Sequence, residues 1–153
     1  MTNSGFTTLA GGPAELLARG VIRLFDDLGC SSLLEFPLRN RRRVDVIALD
    51  RGGRVTIVEV KSSAADYRGD RKWRDYLPYC DSFYFAVAED FDRSLLPGDV
   101  GILVADRYTA AILRPSPEFT MNPARRRALV LRFARTAGKR LMRLDRPDYT
   151  KAR

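Results

Sequence analysis

Residues 43–61 read RVDVIALDRGGRVTIVEVK, and this stretch decides the fold. Two runs rich in Val, Ile and Leu, RVDVIAL and RVTIVEVK, flank Asp50-Arg51-Gly52-Gly53. β-Branched side chains suit a pleated, packed surface, and glycines allow the positive φ of a tight connection, so the stretch predicts a β-hairpin. The second run is apolar on both faces until Glu59 and Lys61, the pattern of a strand covered on both sides. Residues two apart in a strand share a face, so Glu59 and Lys61 project together from its end.

The phase of the hairpin decides what stands opposite them. With a three-residue loop, Arg51-Gly52-Gly53, Asp50 pairs with Arg54 and Asp45 with Glu59. With a two-residue loop, Asp45 pairs with Val60 and the two acids point to opposite faces, unless a bulge restores the phase. In the first register two carboxylates and an ammonium converge on one patch. Two nearby carboxylates repel, burial worsens the repulsion, and a cation between them relieves it. Mg²⁺, with Mn²⁺ as a substitute, answers that need, because Mg²⁺ takes one or two carboxylates, keeps several waters and accepts phosphate oxygens. It would polarise a phosphate and lower the pKa of an attacking water, while Lys61 orients that water or stabilises developing negative charge. The chain uses 23 Arg and only 4 Lys. A lysine kept against that bias suits a role that needs a compact ammonium.

Working outward, residues 1–12 are rich in Ser, Thr and Gly and are expected to be flexible. A helix is expected from Pro13 to Gly29, with Leu17, Val21, Leu24, Phe25 and Leu28 at helical spacing. SLLEFPLR then forms a first strand. Beyond Lys61, AADYRGDRKWRDYLPYC predicts a helix ending before Pro78, with Lys72 and Tyr76 four apart on one face and Trp73 in the core. Asp66 and Asp70, also four apart, either support the acidic site from behind or fall on a solvated face. SFYFAVA is a buried strand, and VGILVAD and TAAILR follow the Pro97-Gly98 break as a second pair. From Pro123 a last helix is apolar at Val130, Phe133, Ala134, Ala137, Leu141 and Leu144, with Arg132, Arg135, Lys139 and Arg143 on a different stripe. Residues 13–145 thus describe one α/β domain, a mixed sheet with helices on its faces, and 146–153 a basic tail.

Composition narrows the function. The chain has no His, which removes Ser-His-Asp and Cys-His catalysis and His-ligated zinc or haem. Cys30 and Cys80 lack the partners of a zinc site and read as free thiols. No apolar run approaches the ~20 residues of a membrane span, and the N-terminus lacks the pattern of a secretory signal, so no membrane partner and a cytoplasmic location are expected. The net charge of +8 is uneven: residues 1–106 hold 14 Lys/Arg against 16 Asp/Glu, and residues 107–153 hold 13 against 3. A carboxylate-rich body joined to a cationic segment suits a protein that binds a polyanion. Arg41, Arg42 and Arg43, beside the acidic site, and Arg125, Arg126 and Arg127, opening the last helix, are the candidate phosphate contacts.

The Asp45 strand and Glu59-Val60-Lys61 resemble the D…ExK signature of the PD-(D/E)XK nuclease superfamily. More narrowly, EVKSSAADYRGDRKWRDYLPYCDSFYFAV resembles the bacterial MmcB family of DNA-repair proteins, described as endonucleases, and the likeness covers about residues 15–115. It implies a restriction-endonuclease-like sheet with Asp45 and Glu59 as metal ligands, the Val60 carbonyl as a third and Lys61 as the catalytic lysine. Val44 stands where the superfamily's proline would be. Glu15, Asp26 and Asp27 on the first helix and Glu35 on the first strand are alternatives for a further acid, while Lys72 and Tyr76 match positions that line such active sites. The resemblance implies a Mg²⁺-dependent endonuclease acting on DNA in repair, with homodimerisation by analogy to small nucleases of the fold. The alternatives are a nuclease-fold DNA-binding or adaptor protein without turnover, and an RNA-processing nuclease.

Overall fold

The computed structural model describes residues 11–146. The expectations for residues 1–12 and 146–153 therefore lie almost wholly outside the described residues. Helix α1 (Pro13–Asp27) begins with Pro at its first position, where a missing N–H costs nothing, and stops at Gly29, whose φ of +81° lets the chain turn out of the helix. Strands β1 (Ser31–Pro37), β2 (Arg43–Leu49) and β3 (Val55–Lys61) follow as antiparallel neighbours. A short helix α2 (Ala64–Gly69) and a 3₁₀ helix (Trp73–Tyr79) cross over to β4 (Ser82–Val87), parallel to β3. Strand β5 (Gly101–Ala105) continues in parallel, β6 (Ala110–Arg114) returns antiparallel, and α3 (Pro123–Asp145) closes the fold. The six strands lie in sequence order in one mixed sheet, so the α/β class expected from the sequence is the one observed.

Both faces of the sheet are covered, which is why β3 reads apolar on both sides. On one face Leu17, Val21 and Phe25 of α1 pack over Val46, Val58, Val60, Ala86 and Leu103. On the other, Trp73, Tyr76, Leu129 and Phe133 cover Ile47, Ile57, Phe83 and Phe85. Gly20 lets α1 meet the β5–β6 turn: a Cβ there would sit 1.9 Å from the Asp106 carbonyl oxygen and 2.4 Å from that of Thr109. Gly20→Ala is therefore expected to destabilise the chain by about 2 kcal/mol, because backbone overlap outweighs the ~1 kcal/mol that Ala normally adds to a helix. An unchanged urea midpoint would refute the close approach.

Two expectations are corrected. The helix predicted from Ala64 to the residue before Pro78 is split: α2 ends at Gly69, Asp70 is extended, and the 3₁₀ helix contains Pro78. At three residues per turn, Trp73 and Tyr76 share the buried face, stacking on Phe83, while Lys72 stays exposed. In α3 the buried residues are Leu129 and Phe133, whereas Leu141 and Leu144 are 67% and 65% exposed. The helix leaves the core at the edge strand β1, where Arg140 donates to the carbonyls of Leu34 and Glu35, and no residue beyond Phe133 is buried among those described. Among the described residues no helix is long and apolar enough to cross a membrane.

Candidate active site

The turn between β2 and β3 adopts the three-residue form. The Asp50 N–H donates to the Arg54 carbonyl at 3.1 Å, and Gly53 takes a φ of +86°. The Asp50 carboxylate accepts from the amides of Gly52 and Arg54 at 2.8 and 2.9 Å, holding the loop in that shape. The ladder runs from Leu49 opposite Val55 to Val46 opposite Val58, so the next step sets Asp45 opposite Glu59. There the strands part and the carboxylates replace the missing bonds: the Asp45 N–H donates to Glu59 Oε1 at 3.0 Å, and the Val60 N–H donates to Asp45 Oδ2 at 2.8 Å. One oxygen of each acid is thereby tied to backbone, and the other accepts from no backbone, Lys or Arg donor among the described residues.

Glu59 is 5% exposed and Lys61 6%. Burial, followed by the neighbouring Asp45, pushes the Glu59 carboxyl up to about 9. Burial also raises Asp45, against the opposing pull of the Val60 amide and Lys61. Lys61 Nζ lies 2.7 Å from Asp70 Oδ2. Burial alone would lower the Lys61 pKa, but the hydrogen bond and charge of Asp70 outweigh it, so the side chain stays an ammonium.

Of the two roles the sequence left open for Asp70, a solvated face or support for the site, the structure shows contact with the site. Asp70 sits in the break between α2 and the 3₁₀ helix with one oxygen on Lys61 and the other on the Lys72 N–H at 2.8 Å. The one local sign of this is Gly69-Asp70, a helix-breaking pair inside an otherwise helical pattern. Asp66 stays exposed in the first turn of α2, where its carboxylate accepts from the Ser62 amide, and Ser63 caps the helix, its Oγ accepting the Asp66 N–H. The Tyr76 hydroxyl donates to the Arg43 carbonyl at 3.2 Å, and burial, then Glu59, Asp45 and Asp70, raise its pKa.

The remaining candidates are dispersed. Glu35 stands in register with Asp45, but its φ of +46° interrupts the pairing and its exposed carboxylate lies 3.9 Å from Arg43. Glu15 is exposed in the first turn of α1, with Asp26 and Asp27 exposed at that helix's far end. Arg42 is paired with Asp75 at 3.1 Å; Arg41 and Arg43 are exposed near the start of β2. Arg125 stacks on Tyr79 and donates to the Pro78 carbonyl. Arg126 binds Asp81 and the Gly53 carbonyl, so it lies at the start of β3, the opposite end of that strand from Glu59. Arg127 is exposed.

Among the described residues no three His, Cys, Asp or Glu side chains gather into a metal-binding group. The oxygen donors brought together here are the Asp45 and Glu59 carboxylates. Two adjacent acids, Glu59 buried and Asp45 half-buried, beside an ammonium that Asp70 already neutralises leave an excess of negative charge. Glu59 in the unfolded chain titrates near 4.5, well below its folded value. The stability tied to its protonated form is complete below that unfolded value and is lost as pH rises through the folded one. In chelator, the melting temperature is expected to fall steadily from pH 5 to pH 9, and Glu59→Gln to flatten the slope. Parallel curves for the two proteins would show that the acids do not interact as described.

The fold and site together define an α/β protein with a six-stranded mixed sheet, in which two acids and a lysine meet where β2 and β3 separate. The chain belongs to the MmcB-like family of DNA repair proteins, whose family model matches residues 10–148. A solved structure of a protein of unknown function from Silicibacter pomeroyi is similar over 91% of this chain and 95% of its own, at 43% identity and a TM-score of 0.86. Comparison with curated proteins finds no match.

Proposed function

We propose that the protein is a Mg²⁺-dependent DNA endonuclease that hydrolyses phosphodiester bonds in repair. The observation that carries this reading is the opposed pair Asp45 and Glu59, Glu59 buried and Asp45 half-buried, each with one oxygen held by backbone and one without a backbone donor, beside the Lys61 ammonium. The residues fit the ion: the donors are hard oxygens, their open atoms lie on neighbouring strands, and a divalent cation would offset the charge that keeps Glu59 protonated. Asp45, Glu59 and the Val60 carbonyl would hold Mg²⁺, or Mn²⁺ in its place. When bound, the ion supplies Lewis-acid polarisation of the phosphate and a more acidic water.

Lys61 contributes a fixed positive charge. Asp70 holds the ammonium in place and keeps it protonated, which supports charge stabilisation at the phosphate and argues against Lys61 as the proton acceptor. Tyr76 is buried close to the acids, with its hydroxyl anchored on the Arg43 carbonyl. Arg41, Arg43 and Arg127 are exposed and available to phosphates. A homodimer would let two such sites cut both strands of a duplex, and a soluble DNA-bound protein of the cytoplasm is the setting this activity requires.

The test incubates purified protein with plasmid, nicked, linear and branched DNA, and with RNA, in Mg²⁺ or Mn²⁺. Cleavage that chelator abolishes supports the reading, and preference for RNA would redirect it to RNA processing. Salt-dependent DNA binding without any cleavage would replace it with the adaptor reading.

A further inference from the structure

A groove runs along α3, lined by none of the site residues Asp45, Glu59 and Lys61. It consists of two contiguous cavities of about 410 and 400 Å³ that share Arg39, Ala128 and Arg132. Five cations line it, Arg39 from the β1–β2 turn and Arg125, Arg132, Arg135 and Lys139 from α3, together with Tyr79 and no acidic residue. At 1.5 Å per residue, Arg125 and Lys139 are about 21 Å apart along the helix, enough for several successive phosphates. Arg125 is set in place by Tyr79 and the Pro78 carbonyl, and Arg132 by the Pro37 carbonyl at 3.4 Å. Arg39, Arg135 and Lys139 are exposed and make no ion pair among the described residues.

We propose that this groove binds the phosphate backbone of a single DNA strand, a reading that rests on the DNA-directed function above. Cations this close repel one another, at spacings within the ~10 Å screening length of dilute salt, and a polyanion laid along them relieves that repulsion. The concave shape and the apolar floor of Leu129, Ala128 and Ala124 favour one strand over a duplex, since an unpaired strand can press its bases onto Tyr79 and the apolar surface. Arg39 stands in the turn that leads into β2, six residues before Asp45. A substrate with a single-stranded tail would thus be held by the tail in the groove while its phosphate meets Asp45 and Glu59.

The experiment measures binding of a labelled oligothymidine and of a blunt duplex to the full chain across a salt series, with cleavage of branched DNA assayed in parallel. Arg39→Ala, Arg135→Ala and Lys139→Ala combined remove three charges from the groove. Arg23→Ala, Arg51→Ala and Arg107→Ala remove three exposed charges elsewhere. The groove variant is expected to bind the single strand at least tenfold more weakly, with a salt slope shallower by about 2, and the other variant to stay within about twofold. Equal losses in both variants, an unchanged groove variant, or no binding of the single strand by the unmodified chain would each overturn the proposal. Cleavage that persists with an unchanged groove variant would sink the groove alone. Selective loss of binding in a protein that cuts nothing would sink the nuclease reading alone.

Discussion

Lys61→Ala is expected to lower Mg²⁺-dependent DNA cleavage by about a hundredfold or more while leaving DNA affinity within about threefold. A fixed charge aimed at the position where negative charge develops, in a site from which water is largely excluded, is worth about that much when removed. In the proposed mechanism Lys61 supplies that charge, and the side chain is 6% exposed and held at 2.7 Å by Asp70. Affinity should change little, because sequence-independent binding sums over many surface cations and this one is buried. Circular dichroism would confirm that the variant is folded. Equal cleavage by the variant and the unmodified chain would mean that Lys61 takes no part in the reaction.

Arg126→Ala is expected to cost about 3 kcal/mol of stability, a fall in melting temperature on the order of 10 °C for a domain of this size. Asp81 is 4% exposed, accepts the Val55 N–H at 2.8 Å and faces both terminal nitrogens of Arg126. Without the guanidinium, a buried carboxylate would keep only the Val55 N–H as donor, and the Gly53 carbonyl would lose a partner at 2.9 Å. Partial solvent access of Arg126 places the cost at the lower end of the range for buried pairs. Arg127→Ala, at an exposed neighbour, should leave the melting temperature unchanged. A stable Arg126→Ala protein with weakened DNA binding would instead make Arg126 a phosphate contact.

These two residues show where the sequence was informative and where it was not. Lys61 was legible because it follows Glu59 by two residues at the end of an apolar strand, a relation fixed by the pleat itself. Arg126 was legible only as one of three consecutive arginines, and its employment by Asp81 depends on α3 crossing the start of β3, a contact between residues 45 positions apart. The split of the helix after Lys61 was hidden for a related reason. Local helical spacing favoured one continuous element, whereas stacking of Trp73 and Tyr76 on the β4 aromatics favours a tighter turn.

By itself the sequence determined the strands, the hairpin and the pairing of Asp45 with Glu59 as one of two registers. Periodicity and the conformational freedom of glycine are local properties, read without knowing what lies across the fold. Only the tertiary structure decided between the registers, brought Asp70 to Lys61, turned Arg126 inward and left the last turns of α3 outside the core. Each of those outcomes depends on which distant surfaces meet, and on where the sheet ends beneath the helices, which no short stretch of the chain encodes.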